Sequence, residues 1–503
     1  LIINLTASRK GTFVIQGLTM ALARRYLRSF LISSLLALLI SGCGSIMTVG
    51  PDYEGPPAIV IPSNWNTQTH DIGLESQDFV PWWNSLNDPV LNQLLDSAYL
   101  QSLGIKIATF RIQESLLNVG ITRSLHYPSI NAFGSVIREK TSQNLSGGLP
   151  FNIEDYHNVG GLFGWELDIF GKVSRQIEAS TASAEAEHEN FQSLLVILHS
   201  QIVSAYFRVR TLQRRLEIVN KNVAAQRETL KIVEGLFNAD LTSELDINQA
   251  TQNLSGTEST IPLIKRELQQ TKNKLALLLA QTPNSLDLLL NEKRSLPIVN
   301  NDFIIGIPRE TIRQRPDVRK AERQLAAQTA LVGVAEAELY PSLSLQGVFG
   351  FSTLGGSLIS GNSQFWEFGT NFSWNVFSAS RNRRQLEKEK VRVEIARLSY
   401  ENTVLKALED VEAALINFDS ETIRISKLTT SVNAAKNTVQ IAKSQYRNGL
   451  TSFQTVLDAE RVLFLEEDRL IQSFGARLQH AVNIYRALGG GWSEKRKETV
   501  IKR

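Results

Sequence analysis

Gly161-Leu162-Phe163-Gly164-Trp165-Glu166-Leu167-Asp168-Ile169 alternates without a break. In an extended chain Gly161, Phe163, Trp165, Leu167 and Ile169 fall on one side and Leu162, Gly164, Glu166 and Asp168 on the other. The pattern returns between Trp366 and Val376. There Trp366, Phe368, Thr370, Phe372, Trp374 and Val376 face one way, and Glu367, Gly369, Asn371, Ser373 and Asn375 the other. A period of two sustained over about ten residues predicts strands with one apolar and one polar face. A soluble sandwich shows the same alternation, so periodicity alone leaves the surroundings open. The large aromatics at the ends of the apolar faces favour a membrane girdle, and Glu166, Asp168, Glu367 and Asn371 are then expected to line a wet lumen.

Outward from these segments lie partner strands at 130–137 and 343–349, joined to them by Ser-, Gly- and Asn-rich loops at 141–149 and 352–363. The whole arrangement is a duplication. Tyr127-Pro128-Ser129 recurs as Tyr340-Pro341-Ser342, 213 residues on. Trp165 recurs as Trp374, and Leu241-Thr242-Ser243 as Leu450-Thr451-Ser452, both 209 residues on. A variable loop between the first landmark and the second absorbs the difference. A repeated strand-plus-helix unit points to a bundle or tube rather than to a chain wrapped around one catalytic pocket.

After Gly171 there is no proline and almost no glycine until Gly235, about 63 residues or about 95 Å at 1.5 Å per residue. The same holds from Phe377 to Gly449, and two shorter helical tracts follow, Glu244 to Ala280 (interrupted near Gly256 and Pro262) and Phe453 to Leu488. Helices of this length imply a coiled-coil-like assembly, and alanines such as Ala179, Ala182, Ala184 and Ala186 permit close approach. Four strands cannot close a barrel, and open sheet edges are not tolerated in lipid. A membrane barrel must therefore be assembled from several chains, and a trimer supplies an acceptable even number of strands.

Met20 begins an export pattern in which Arg24, Arg25 and Arg28 precede a short apolar run from Phe30 to Ile40. The run ends Leu39-Ile40-Ser41-Gly42-Cys43, which resembles the bacterial lipoprotein processing box; by that resemblance Cys43 becomes an acylated N-terminus, with palmitate among its chains. The alternative is a buried cysteine. Gly44 is not the aspartate of inner-membrane retention, which favours the outer membrane. With one cysteine in 503 residues there is no internal disulfide and no thiolate metal cluster.

The net charge of +3 belongs to the leader. Residues 1–42 hold five basic and no acidic side chains, which leaves −2 from Cys43 onward and removes the electrostatic basis for binding nucleic acid. The six histidines are scattered, and neither a Gly-Lys-Ser/Thr loop nor a His-Glu-x-x-His segment occurs. The chain reads as a non-enzyme, without a cofactor beyond the lipid on Cys43. Between Gly50 and Pro89, prolines and the Trp82-Trp83 pair suggest an extended strap without helix, its tryptophans packed on the body or set at the membrane interface.

Together these features resemble a TolC-like outer membrane factor, of the NodT-type lipoprotein branch that serves tripartite (RND-type) efflux systems. The resemblance rests on the box at Cys43; Gly50-Pro51-Asp52-Tyr53; Trp82-Trp83 with Leu86-Asn87-Asp88-Pro89; Pro308-Arg309-Glu310 and Arg315-Pro316-Asp317-Val318; and Ala487-Leu488-Gly489-Gly490-Gly491-Trp492. It spans nearly all of 42–492. It implies a mixed α/β membrane protein, a homotrimer whose twelve-stranded outer membrane β-barrel continues into a twelve-helix periplasmic α-barrel. It also implies a periplasmic adaptor and an inner-membrane transporter as partners. A duct for type I peptide or protein secretion and a non-channel lipoprotein rod are the alternatives.

The expected organisation is a leader at 1–42, a lipidated strap at 43–90, a first repeat at 91–285 (hairpin about 128–171, helices about 172–281), and an equatorial linker at 286–312. A second repeat follows at 313–490 (hairpin about 341–377, helices about 378–488), with a basic tail at 491–503. By the resemblance, the periplasmic tips are the turns around Asp240, Leu241, Thr242 and Ser243 and around Gly449, Leu450, Thr451 and Ser452, which meet the adaptor. Ser243 and Ser452 are expected to cap the returning helices. Gly449 is expected to supply a left-handed residue where the first copy has Asp240, a departure that makes the two tips unequal partners for the adaptor. Asp246 and Asp458 are expected to ring a gate. The family's second acidic position falls on Thr455 here. Tyr446 matches a family tyrosine that pairs with an arginine at rest; that arginine's position is Thr451, which leaves Arg447 as the candidate substitute.

Overall fold

The computed structural model describes residues 47–66, 82–140, 153–292, 294, 296–297 and 308–490. The leader, Cys43, the hairpin loop at 141–152 and the basic tail lie outside the described residues. After an extended strap, the chain forms a short 3-10 helix at Trp82–Leu86, then α1 (Pro89–Gln101), α2 (Leu103–Ser124), β1 (Ser129–Lys140), β2 (Ile153–Leu167) and α3 (Lys172–Asn238). There follow α4 (Glu244–Glu258), α5 (Thr260–Leu278), α6 (Asp287–Asn291), α7 (Pro308–Gln314) and α8 (Pro316–Ala337). The second half ends with β3 (Ser342–Thr353), β4 (Gln364–Ser373), α9 (Arg381–Arg447) and α10 (Phe453–Ala487). The 3-10 helix corrects the expectation of a strap without helix.

The duplication holds residue for residue. α2 and β1 reappear as α8 and β3 at an offset of 213, α3 reappears as α9 at 209, and α4 with α5 spans the counterpart of α10. α3 and α9 each run 67 residues. The first returning helix is broken at Ser259, just before Pro262, which lacks the N–H an unbroken helix needs; its counterpart α10 is continuous.

Two compact units can be distinguished. One holds the strands, the strap up to Tyr53, and the adjoining helix ends within 119–180 and 327–392; the other holds the remaining helices. In the strand unit, four antiparallel strands run in the order β1-β2-β3-β4. Cross-strand pairing sorts the side chains by face. Ile130, Phe163 and Phe368 share one row, Phe349 and Trp366 another, and Leu167, Leu343 and Phe372 a third, all on the apolar side. Asn131, Leu162, Val348 and Glu367 form a row on the opposite side, and Glu166, Ser344 and Asn371 another. β4 stops at Ser373, so Trp374, Asn375 and Val376 lie beyond the predicted strand. Trp374 instead donates its indole N–H to the Leu339 carbonyl at 3.1 Å, as Trp165 does to His126 at 2.9 Å. Each tryptophan thus pins the start of its hairpin to the carbonyl before Tyr-Pro.

The helical unit is built on Leu91, Leu94 and Leu95 of α1, Ile202, Tyr206 and Phe207 of α3, Leu275 of α5, Val411 and Phe418 of α9, and Val482 and Ile484 of α10, all buried. The Trp82-Trp83 pair packs into this body, Trp82 stacked on Tyr485 at 4.1 Å and Trp83 against His199. Asp88 caps α1 through the Val90 and Leu91 amides and accepts from the buried Tyr206 hydroxyl. Burial, with the Asp88 hydrogen bond, pushes the Tyr206 phenol up to about 12.

Candidate functional site

Two places carry the expected site residues: the polar face of the sheet and the turns that end α3 and α9. The polar face is concave, enclosing about 510 Å³ lined by Ser129, Asn131, Gln346, Glu367 and Asn371 among others. Glu166 is exposed near its base, beside a second hollow of about 330 Å³. Glu166, Glu367 and Asn371 therefore share one wet surface. Asp168 does not. It lies past the end of β2, where its carboxylate accepts from the Val173 and Ser174 amides at 2.9 and 2.8 Å and from the Ser174 hydroxyl at 2.7 Å. It caps α3, which begins directly after the turn at Gly171 (φ 75°).

The turns after α3 and α9 are the same device. Leu241 N–H bonds the Leu236 carbonyl and Asp240 N–H that of Phe237; Leu450 and Gly449 do the same to Gln445 and Tyr446. These are Schellman ends, which need a left-handed residue. Asp240 takes φ 55° and Gly449 φ 67°. The two turns are thus alike in backbone and differ in side chains. Ser243 and Ser452 occupy the N-cap positions, but neither side chain makes a capping hydrogen bond. Each offers its backbone carbonyl, to Asp246 N–H at 3.1 Å and Thr455 N–H at 3.2 Å.

The side chains above these turns differ. Asp246 and Thr455 are equivalent positions, the third residue of α4 and of α10. Asp246 Oδ2 accepts from Thr242 Oγ1 at 2.5 Å and from the Tyr446 hydroxyl at 3.0 Å. The Thr455 hydroxyl accepts instead from Thr451 Oγ1, at 2.9 Å. Within one chain Tyr446 therefore ties the second tip to the first through Asp246, while Arg447 is exposed and has no ion pair among the described residues. Tyr446 also packs on Phe453, at 5.2 Å between rings, over a small core of Val233, Ala250, Val439 and Val456. Its phenol pKa is held above the ordinary value, first by burial and then, against the pull of Thr242, by the Asp246 carboxylate. Asp458 is a separate feature. It is exposed, accepts from Gln454 at 2.9 Å, and lies 4.0 Å from Arg461.

Sequence reading missed two polar layers behind the tips. Glu460 is buried between Lys443 (2.8 Å), Thr229 (2.7 Å) and Asn253 (3.2 Å), and Glu467 between Lys436 (3.3 Å) and Asn222 (2.8 Å). The signal was present: Asn222 and Thr229, Lys436 and Lys443, and Glu460 and Glu467 are each seven residues apart. Also missed was Arg175, buried, which binds the strap through the Val49 and Gly50 carbonyls, each at 3.1 Å, and Asp52 at 2.7 Å.

The description "Outer membrane efflux protein" matches residues 94–281 and 307–490, the two halves of the repeat. The chain is similar to Nodulation protein T of Rhizobium leguminosarum bv. trifolii, with 29% identity over 468 residues, 91% of this chain and 96% of the relative. It is similar to Outer membrane protein OprJ of Pseudomonas aeruginosa, with 28% identity covering 93% of this chain and 96% of the relative. Among solved structures it resembles the outer-membrane channel OprN, with 33% identity and a TM-score of 0.82 over 88% of this chain and 99% of that one.

Proposed function

The chain belongs to the outer membrane efflux protein family, and from that membership we propose that three copies form the passive exit duct of a tripartite efflux pump for small toxic compounds. It is a channel protein of the bacterial outer membrane, lipid-anchored at its N-terminus and extended into the periplasm, and not an enzyme. The observation that carries the proposal is a four-stranded sheet with two open edges, one apolar aromatic face and one concave polar face. Such a sheet is stable in lipid only when closed by further copies, and three supply twelve strands. Closure puts Phe163, Phe368 and Trp366 toward lipid and Glu166, Glu367 and Asn371 toward water.

In this reading the tips open and close. The Thr242–Asp246–Tyr446 cluster holds the two turns of each copy together at rest, and a periplasmic adaptor engages the exposed Leu241 and Leu450 to release them. Three-fold symmetry gathers the Asp458 carboxylates about one axis, where they focus a field that favours cations. Transport is driven by an inner-membrane transporter coupled through that adaptor.

Single-channel conductance in planar bilayers tests the proposal. Wild type is expected to give a low, cation-selective conductance, and Asp458→Ala to weaken its selectivity. Conduction with unchanged selectivity in the variant would keep the duct and remove Asp458 from the gate. A monomeric protein, soluble without detergent, would sink the duct itself.

A further inference from the structure

Strand pairing sets the side chains of the polar face in rows, and one row is out of character there. Phe133 faces Gly160, Gly160 faces Gly350 and Gly350 faces Phe365, so this row crosses the sheet as Phe-Gly-Gly-Phe. On one side of it lies the row of Asn131, Leu162, Val348 and Glu367, which borders the hollow of about 510 Å³. On the other side Asn158 donates to the Ser135 hydroxyl at 3.3 Å and accepts from that of Ser352 at 2.6 Å. Lipid accounts for the phenylalanines of the opposite face and not for these two. Duplication does not account for them either. Phe133↔Gly160 answers to Gln346↔Gly369 in the second hairpin, and Gly350↔Phe365 to Ile137↔Tyr156 in the first, and neither of those pairs joins a phenylalanine to a glycine.

The glycines decide how the rings lie. A Cβ built on Gly160 would stand 2.9 Å from Phe133 Cζ, and one on Gly350 3.2 Å from Phe365 Cε1. Each ring therefore reaches inward over the neighbouring strand and covers its glycine. Backbone crowds the same positions, since those Cβ atoms would also come within 2.4 Å of the Phe349 carbonyl oxygen and 2.3 Å of the Val159 one. No side chain can stand between the two rings. Both phenylalanines are half-buried, held against the sheet from beneath and open on the side away from it.

Charge enters from one residue. Glu367 stands two residues from Phe365 on the same face, roughly 7 Å along the strand. It is exposed and has no hydrogen bond or ion pair among the described residues. In the three rows, it is the one ionisable group among the described residues. Aromatic rings stack on phenyl groups, and a cation is drawn both to a phenyl face and to a carboxylate. Two such rings beside a free carboxylate are the complement of a flat aromatic molecule that carries a positive charge.

We propose that Phe133, Phe365 and Glu367 form a binding site on the duct wall for planar aromatic cations. The site rests on the duct reading above, which turns this face toward the lumen, and deepens it by naming a class of compound that the wall itself holds. A fused ring system lying on Phe365 spans the distance to Glu367, while its far edge meets Phe133 across the glycine pair. Leu162 and Val348, in the adjoining row, extend the apolar floor beneath it.

Titration of the purified full lipoprotein with ethidium, a planar aromatic cation, followed by fluorescence anisotropy, tests the site. Wild type is expected to bind saturably. Phe133→Leu, Phe365→Leu and Glu367→Gln should each raise Kd about fivefold or more. These replacements keep an apolar cover on the glycines and the shape of the glutamate, and wild-type migration on a native gel checks the fold of each. Tetramethylammonium, a cation without a ring, and uncharged phenanthridine, a ring system without the charge, should both compete poorly with ethidium. No saturable binding by wild type, or an unchanged Kd in both leucine variants, would overturn the site and leave the duct standing. Phenanthridine competing as well as ethidium, or Glu367→Gln binding ethidium as wild type does, would overturn the cationic class. Phenylalanine-dependent binding by a wild-type protein that forms no channel in planar bilayers would keep the site and overturn the duct.

Discussion

At the tips, two half-buried hydroxyls converge on one carboxylate oxygen, Asp246 Oδ2. A hydrogen bond to a charged group contributes about 1.5–3 kcal/mol. Tyr446→Phe deletes one such bond with almost no change of shape, so it should raise the ratio of open to closed tips roughly ten- to hundredfold per protomer. Single-channel open probability in lipid bilayers would register this, and an unchanged value would show that the cluster does not hold the tip. The raised phenol pKa gives a second test. The folded tip holds this proton more tightly than the unfolded chain, so its contribution is complete below the ordinary value of 10 and is lost as pH rises through the folded value. Conductance should be flat between about pH 7 and 9 and rise only in stronger alkali, a rise that Tyr446→Phe lacks. Left-handed residues matter here too. The Schellman end at Gly489 (φ 73°) has Ala280 (φ 55°) as its first-copy equivalent, the same helix end without the glycine. Ala280→Gly should stabilise the fold by about 1 kcal/mol, read as a higher midpoint in thermal unfolding. Asp240→Gly should gain less, because aspartate tolerates that region better. Tyr446, Asp246 and Gly449 were readable as tip residues by resemblance. Their mutual contact was not, because a hydrogen bond between positions 200 residues apart leaves no local pattern.

Among the elements, the strands and long helices were the most legible, since a period of two and a long proline-free run are both properties of neighbouring residues. The errors fell at ends. Trp374 to Val376 and Asp168 continue the strand alternation in sequence, yet the strands end just before them, where the Trp374 indole bonds Leu339 and Asp168 caps α3. Within the helices, the Glu460 and Glu467 layers set α3, α9 and α10 in one heptad register. Each glutamate is paired and hydrogen-bonded, so its value lies in what removal leaves behind. Glu460→Ala leaves Lys443 without its carboxylate, removes an acceptor from Thr229 and Asn253, and should cost about 3–5 kcal/mol, as for other broken buried pairs. Glu460→Leu together with Lys443→Leu removes both charges and should come within about 1.5 kcal/mol of wild type. Thermal melts followed by helical circular dichroism would separate the two. A double variant as damaged as the single one would mean that packing, not the unpaired lysine, governs the layer.

For the whole molecule, two attachments to the membrane are in question, the acyl chains at Cys43 and the apolar face of the sheet. They differ in kind. Acyl chains tether whatever follows them and leave its own solubility unchanged. A sheet with Phe368, Trp366 and Phe372 each more than 60% exposed needs lipid in its own right. No helix among the described residues is long and apolar enough to cross a membrane, so the sheet must serve if the body is integral. Cys43→Ser, exported through a leader that needs no lipid, is therefore expected to remain trimeric, to require detergent, and to conduct with wild-type selectivity. Flotation of washed membranes followed by native gel electrophoresis would decide it. Release of a soluble monomer would mean that the lipid alone held the protein in place, and the long helices would then be a tethered rod. Retention without the lipid would assign the anchor a different task, to fix the strap beside Arg175 before the copies come together.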